Sequence, residues 1–470
     1  MNEQNEKKSL KLEHILIIAT IGVAPFLGNL DGSIVMIACP VLEQVFHTDT
    51  SGVSMIIVSY LLVSASFALI FGRLGDMIRP EKIFVMGFVV LTVGSLLCGL
   101  APSLNYLVAF RVIQALGSTM LFSTYCAVVA TNLPEEMRGR AFGFVGVLGS
   151  IGFAVGAPAG GFILKYLSWH WLFLFNIPFG IAGLILSCRY LLGKRAPPEK
   201  NACFDIWGGI LSLICLLSFI YALNQGQDIG WGAPSVLALF CLSIVCFFLF
   251  ILREKSFSSP LVDITIFRNT RMSFAVMAAL LVIVLLNGIL FLFPYFLELV
   301  KGLSTEKAGL VLMALPVAVF IFSPAAGYYS DKKSPQLISF IATASILISC
   351  ILFTTLRADT PVWFILLPFL LFGISLAFFT VSNITLVMSN AEEGRQGIIS
   401  AILSVTNCVG ALMGVSFFQI VFSGCIGRNA KELSTISPGS IMQGFHTAML
   451  FAVLLCIPAL IASILAMKRR

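Results

Sequence analysis

Gly28-Asn29-Leu30-Asp31-Gly32-Ser33-Ile34-Val35 lies inside the first long apolar run of the chain, from about Ile15 to Cys39. Asp31 is the only acidic residue between Glu13 and Glu43. At the centre of a membrane helix an Asp costs roughly 2.5–3.5 kcal/mol on insertion scales, and more where nothing solvates it. Either Asp31 pairs with a buried cation, or it faces a wet cavity and titrates there.

Composition supports the membrane setting. Of 470 residues, 59% are hydrophobic and 11% charged, with a mean hydropathy of +1.00, whereas a soluble globular chain is about 25% charged. The chain reads as an all-α polytopic membrane protein. Its 41 Phe read as packing rather than substrate contacts. The 12 Cys lie mostly inside apolar runs, as small packing residues rather than a disulfide framework. His14, His47, His170 and His446 show no metal-ligand spacing, so no metal is expected. No G-x-x-x-x-G-K-[ST] phosphate loop occurs, so uphill work would draw on an ion gradient and no cofactor is expected. Lys7, Lys8 and Lys11 precede an apolar run too long for a signal-peptide core, which reads as a retained first span.

A span needs about 20 apolar residues. Fourteen are expected, near 14–39, 51–71, 83–101, 104–131, 141–166, 169–193, 204–223, 233–253, 272–300, 304–330, 336–356, 361–390, 397–424 and 443–467. With the N-terminus inside, 22 of the 29 Lys and Arg fall on the inner side and 6 on the outer, leaving Arg111 within a span. Basic residues gather on the cytoplasmic side, so both termini are expected there. The net charge of +7 then reports topology and not affinity for nucleic acid. The longest segments between spans, near 254–271 and 425–442, are too short for an enzyme domain.

An internal repeat is visible. Gly72-x-x-x-Asp76 recurs 255 residues later as Gly327-x-x-x-Asp331, and Glu135-Glu136-x-Arg138 recurs 257 later as Glu392-Glu393-x-Arg395. Gly152 and Gly156 recur 258 later as Gly410 and Gly414. Two parallel six-helix repeats are expected, with two helices inserted between them. The divisions are 1–193, 194–271 and 272–470. Parallel repeats are a transporter architecture with the substrate site at the repeat interface.

Arg111 and Gln114 stand one turn apart in the fourth span and share a face. At ~1.5 Å per residue, Arg111 lies about 10 Å below the outer end of its span and Asp31 about 14 Å below Pro40. Their similar depth allows a contact between opposite charges, the alternative being an Arg that snorkels to the headgroups.

The stretch Gly72-Arg73-Leu74-Gly75-Asp76-Met77-Ile78-Arg79-Pro80-Glu81-Lys82 is expected to be the loop between the second and third spans. It resembles the loop of the major facilitator superfamily, roughly G-x-L-a-D-r-x-G-r-k. Met77 and Arg79 stand where that pattern has a basic residue and its second glycine. The resemblance implies a cytoplasmic gate made by Gly72, Arg73, Asp76 and Arg79. Arg111 to Gly117 is similar to the family's R-x-x-Q-G-x-G, with Ala115 for the first glycine, and proton coupling is assigned to Asp31, Arg111 and Gln114. Gly152, Gly156, Pro158, Gly160 and Gly161 resemble the G-P-x-x-G-G antiporter motif, with Ala157 before the proline, which is associated with export. Ser168-Trp169-His170-Trp171-Leu172-Phe173-Leu174-Phe175-Asn176-Ile177-Pro178-Phe179-Gly180 resembles the W-R-W-x-F-x-x-N-x-P-x-G signature of fourteen-span drug:proton antiporters. Leu30 to Pro40 is similar to their L-D-x-T-I-V-N-V-A-L-P, with Met36 in place of the Asn. Pro260-Leu261-Val262-Asp263 with Ile266-Phe267-Arg268-Asn269 resembles their loop before the ninth span.

In the second half, Asn287, Asn383 and Thr380 are candidate cavity residues, and Glu298 reads as interfacial. The expected function is proton-coupled export of amphipathic, cationic compounds by a monomer in the cell membrane. Two alternatives are a proton-coupled transporter of one metabolite (an amino acid, sugar or organic anion) and a membrane sensor or scaffold.

Overall fold

The computed structural model describes residues 12–47, 50–192, 204–257, 268–303, 305–390, 396–426 and 438–467. Among these residues the regular structure is entirely helical. The helices are α1 (Leu12–Phe46), α2 (Thr50–Ile78), α3 (Pro80–Gly99), α4 (Leu104–Asn132), α5 (Glu135–Tyr166), α6 (His170–Leu174), α7 (Asn176–Tyr190), α8 (Ile206–Ile229) and α9 (Pro234–Ser256). They continue with α10 (Thr270–Tyr295), α11 (Thr305–Leu312), α12 (Ala314–Lys332), α13 (Pro335–Thr354), α14 (Val362–Ser389), α15 (Gln396–Ile426) and α16 (Pro438–Met467).

Fourteen helical segments among the described residues are long and apolar enough to cross a membrane, so the expected number of spans is found. Their details depart from the apolar runs. The fifth begins at Glu135 rather than near 141, because Glu135 and Glu136 suit the positive N-terminal end of a helix dipole although they break the apolar pattern. The sixth and tenth spans are each made of two helices, α6 with α7 and α11 with α12. The ninth ends in a π-helical turn, Phe296–Val300, just after Pro294, where the proline has no backbone N–H to give and the ladder widens. Glu298 falls in that turn; its side chain lies outside the described residues, as do those of Met36 and Ala157 and the segments 258–267 and 391–395.

Local sequence explains several boundaries. Pro80, Pro234 and Pro335 each open a helix, where the missing N–H would be unsatisfied anyway. Asp205 caps α8 by accepting from the Gly208 N–H at 3.0 Å, and Asn269 caps α10 by accepting from the Met272 N–H at 3.4 Å. Asp205 also accepts from Arg253 Nε at 3.2 and 3.0 Å, which ties α8 to α9.

The chain forms two compact units, residues 1–204 with 391–401, and 205–390 with 402–470. The inserted pair α8–α9 falls in the second unit. Within the first unit α1 packs on α4 and α7, α3 on α4 and α7, and α2 on α4. Within the second, α10 packs on α14 and α16, α13 on α14 and α16, and α12 on α14. These are the same pairings one repeat later, so the sequence repeat is a repeat of packing.

The second unit is centred on phenylalanines from four helices. The Phe293 ring of α10 lies 4.8 Å from that of Phe353 on α13, 4.4 Å from Phe369 on α14 and 5.2 Å from Phe445 on α16. All four are essentially inaccessible, and edge-to-face aromatic contacts of this kind add to their burial. Phe293→Ala is expected to cost about 3–5 kcal/mol. It should lower the thermal melting midpoint of the detergent-solubilised protein, and an unchanged midpoint would show that the cluster does not hold this unit together.

Candidate functional site

Asp31 on α1 is 4% exposed and Arg111 on α4 is 2% exposed. Arg111 Nη1 donates to Asp31 Oδ2 at 2.6 Å and to Gln114 Oε1 at 2.6 Å. Gln114 Nε2 donates to Asp31 Oδ1 at 3.0 Å, so the three residues assigned to one site from the sequence are in mutual contact. Two further side chains complete it. Asn176, the first residue of α7, donates from Nδ2 to Asp31 Oδ1 at 2.9 Å. Ser95 of α3 accepts from Gln114 Nε2 at 2.9 Å. From α2, the Ile56 carbonyl accepts from Arg111 Nε at 3.4 Å, and the Tyr60 ring lies 4.5 Å from the guanidinium carbon. The Tyr60 hydroxyl donates to Ser118 Oγ at 2.6 Å.

This arrangement answers the cost of the buried charges. The carboxylate accepts three hydrogen bonds, one of them from a charged donor, and the guanidinium has two side-chain oxygens, a carbonyl and an aromatic face. Small residues make it possible. A Cβ on Gly94 would stand 2.6 Å from the Gln114 backbone, and one on Gly117 would stand 2.2 Å from Leu91 N. α3 and α4 therefore meet backbone to backbone, which brings Ser95 within reach of Gln114.

On the other side of α1, two glycines of the antiporter-like stretch act in the same way. A Cβ on Gly152 would stand 2.2 Å from the Phe26 carbonyl oxygen, and one on Gly156 would stand 1.8 Å from Ser33 Oγ. Asn29 Nδ2 adds a bond to the Gly149 carbonyl at 3.0 Å. The rest of the motif does not share this contact. Gly160 would make ordinary contact with Ile34, a Cβ on Gly161 would meet nothing within 4 Å, and Pro158 is exposed.

The expected loop at 72–82 is almost all helix. α2 runs through Gly72, Arg73 and Asp76 to Ile78, and α3 starts at Pro80. Arg79 alone makes the turn, at φ 134°. Proline disfavours a helical residue before it, which forces the break here. Positive φ favours glycine, the residue that the resemblance puts at this position. Asp76 Oδ2 accepts from the Ile398 N–H at 2.9 Å, in the first turn of α15, whose residues up to Ala401 belong to the same compact unit. A carboxylate at a helix N-terminus satisfies a free N–H and meets the positive end of the dipole.

The candidate cavity residues are not gathered into one group. Asn383 is buried and donates to the Ala275 carbonyl at 3.2 Å, whereas Thr380 one turn away is exposed. Asn287 donates to the Ile283 carbonyl at 2.9 Å and lies about 18 Å further along α10 than Ala275, at ~1.5 Å per residue. Among the described residues no three His, Cys, Asp or Glu side chains gather in a way that could hold a metal ion.

A family model described as "Major Facilitator Superfamily" matches residues 21–415. The chain belongs to the major facilitator superfamily. Members are secondary transporters of small molecules, so the protein is a transporter and not an enzyme. It is 29% identical over 455 residues to the riboflavin transporter RibZ of Clostridioides difficile, covering 97% of both chains. It is 29% identical to the methylenomycin A resistance protein of Bacillus subtilis over 87% of each chain. The multidrug resistance protein Stp of Mycobacterium tuberculosis is 27% identical over 89% of this chain and 77% of its own. The superfamily fold also appears in the human organic anion transporter MFSD10, with TM-score 0.68 at 14% identity over 95% of this chain and all of that one. The proton:xylose symporter XylE gives 0.64 at 13% identity over 94% of each chain.

Asn176, Ser95 and Tyr60 were not singled out as site residues from the sequence. Asn176 stood only as one letter of a signature, and nothing in a neutral Asn, Ser or Tyr marks its place in a span. The repeat supplies a comparison. At the offset of 255 shared by Gly72/Gly327 and by the helix-opening Pro80/Pro335, Ser95 corresponds to Cys350, and at the offset of 257 shared by Glu135/Glu392, Arg111 corresponds to Pro368, so the second copy carries no charge at that position.

Two tests follow from this geometry. Arg111→Met alone leaves a buried carboxylate unpaired and should cost about 3–5 kcal/mol, whereas Arg111→Met with Asp31→Leu should recover most of that. Equal melting midpoints for single and double variants would show that the pair is uncoupled. Arg79→Gly should relieve about 1–2 kcal/mol of backbone strain and raise the melting midpoint; a lower midpoint would show that the Arg79 side chain matters more than its backbone.

Proposed function

We propose that the protein is a proton-coupled exporter of amphipathic, cationic drugs or toxic compounds, working by alternating access in the cell membrane. The observation that carries this is the buried Asp31–Arg111 pair with its amide partners. Burying a carboxylate and a guanidinium inside a span is costly, and breaking such a pair is costlier still. A site that gains or loses one proton changes between those two conditions, which makes it an effective trigger.

Asp31 takes a proton from the outer side, which removes the charge that Arg111 neutralises and releases the guanidinium to its other contacts. A cationic substrate competes for the ionised carboxylate, so proton and substrate exclude each other. The halves 1–193 and 272–470, joined in sequence by the pair of helices in 194–271, rock in alternating access. Asp76 holds the N-terminus of α15 at the cytoplasmic gate and lets go when the site is protonated. The excess of basic residues puts this gate and both termini in the cytoplasm. The protein works as a monomer and belongs with the fourteen-span drug:proton antiporters. That placement is supported by its relatives among resistance proteins.

A second reading is favoured by one observation, the likeness to a riboflavin transporter over 97% of both chains. Here the same coupling site would serve one specific metabolite.

One panel tests both. Full-length protein in liposomes with an imposed pH gradient is assayed for proton-driven movement of ethidium and of riboflavin. Ethidium movement, reduced to background by Asp31→Asn, is the expected result. Undiminished coupled transport by Asp31→Asn removes Asp31 from the mechanism, and movement of riboflavin alone establishes the second reading.

A further inference from the structure

The two amides on Asp31 Oδ1 are held differently. The Gln114 amide is fixed at both ends, since Nε2 also donates to Ser95 and Oε1 accepts from Arg111 and, at 3.8 Å, from Cys98 Sγ. Turning it over would set its Nε2 against the Arg111 guanidinium, donor against donor, and lose that short bond. The Asn176 amide is fixed only by its Nδ2. Its Oδ1 is buried and has no hydrogen-bond partner among the described residues, in a side chain 1% exposed. A buried acceptor left unpaired beside a carboxylate asks for an explanation.

An asparagine amide carries a donor and an acceptor at nearly the same distance and shape, and a half-turn exchanges them. An ionised carboxylate only accepts, so it needs Nδ2. A protonated carboxyl donates through its O–H and needs an acceptor. We propose that Asn176 is the partner of Asp31 in both protonation states, donating to the carboxylate and, after a half-turn of its amide, accepting from the neutral acid. One amide atom stays unpaired in either orientation, so the exchange trades like for like. No other group at the carboxyl has this freedom: Arg111 only donates and Gln114 is locked. The proton that binds Asp31 comes from solvent and returns to it, and no other bond is made or broken.

This rests on Asp31 gaining and losing a proton, as proposed above. The other ionisable groups at the site are Arg111 on α4, Tyr60 on α2 and Cys98 on α3. α5 packs glycines against the same part of α1, and α6 contributes the Phe173 ring, 5.6 Å from the guanidinium carbon. None of these can serve as acceptor for the acid while remaining a donor to its anion at Oδ1.

The test is pH-difference infrared spectroscopy on full-length protein in lipid, with Asp31→Asn, Asn176→Leu and Asn176→Ser variants and with ¹⁵N-labelled asparagine. The expected spectrum contains a protonated-carboxyl band lost in Asp31→Asn. It is accompanied by a side-chain amide band that shifts with the label and is lost in Asn176→Leu. The acid carbonyl band should move to higher frequency in Asn176→Leu, where the O–H has no acceptor, and stay in place in Asn176→Ser, whose hydroxyl both donates and accepts. A carboxyl band lost in Asp31→Asn but without any label-sensitive amide band overturns the role of Asn176 and leaves the titration of Asp31 standing. If no band is lost in Asp31→Asn, both are overturned. Should Asn176→Leu fail to fold, the labelled native protein and Asn176→Ser decide the matter alone.

Discussion

The contact between Asp31 and Arg111 is the constraint on which the first unit depends. Two opposite charges with almost no exposure need each other, and each also needs hydrogen-bond partners for the capacity that the pairing leaves over. Those partners come from α2, α4 and α7, and α3 joins through Ser95, which holds Gln114, so the charges on α1 and α4 draw in most of the bundle. A pair of this kind is a poor source of stability compared with well-packed apolar side chains. In the proposed mechanism its value lies in having two conditions, paired and unpaired, that a single proton can exchange.

The second unit shows what the same helix arrangement does without the charges. Phe293, Phe353, Phe369 and Phe445 stand on the helices that correspond to α1, α3, α4 and α7. Pro368, next to Phe369, occupies the repeat position of Arg111, and Cys350, one turn from Phe353, that of Ser95. One copy of the repeat thus holds a polar, ionisable knot and the other a buried aromatic one. An aromatic cluster packs closely and has no protonation state, so the coupling chemistry proposed here belongs to the first unit. The glycines behave more evenly: Gly156 meets α1, and its repeat Gly414 would place a Cβ 2.4 Å from the Val284 carbonyl on α10. Backbone approach between these helices is a requirement of the fold in both copies, whereas the charge is not.

The helical membrane class, the number of spans, the repeat and the two charged members of the site were legible in the sequence. Each rests on a property that a one-dimensional string records: apolar run length, identity at a constant offset, or a charge where lipid forbids one. Asp31 and Arg111 were visible because each is expensive on its own. Helix boundaries near 135 and 79 were less so, since Glu135 extends a helix for electrostatic reasons that hydropathy does not register and Arg79 makes a turn that its side chain disfavours.

What only the tertiary structure decided is which neutral residues meet the charges. Asn176 lies 145 positions from Asp31, and Ser95, Tyr60 and Ile56 reach the site only because Gly94 and Gly117 let α3 and α4 touch and α2 crosses beside them. A neutral polar side chain costs little anywhere along a span, so nothing in its own neighbourhood marks it. Its importance arises from proximity to a charge on another helix, and proximity between distant parts of the chain is created by packing.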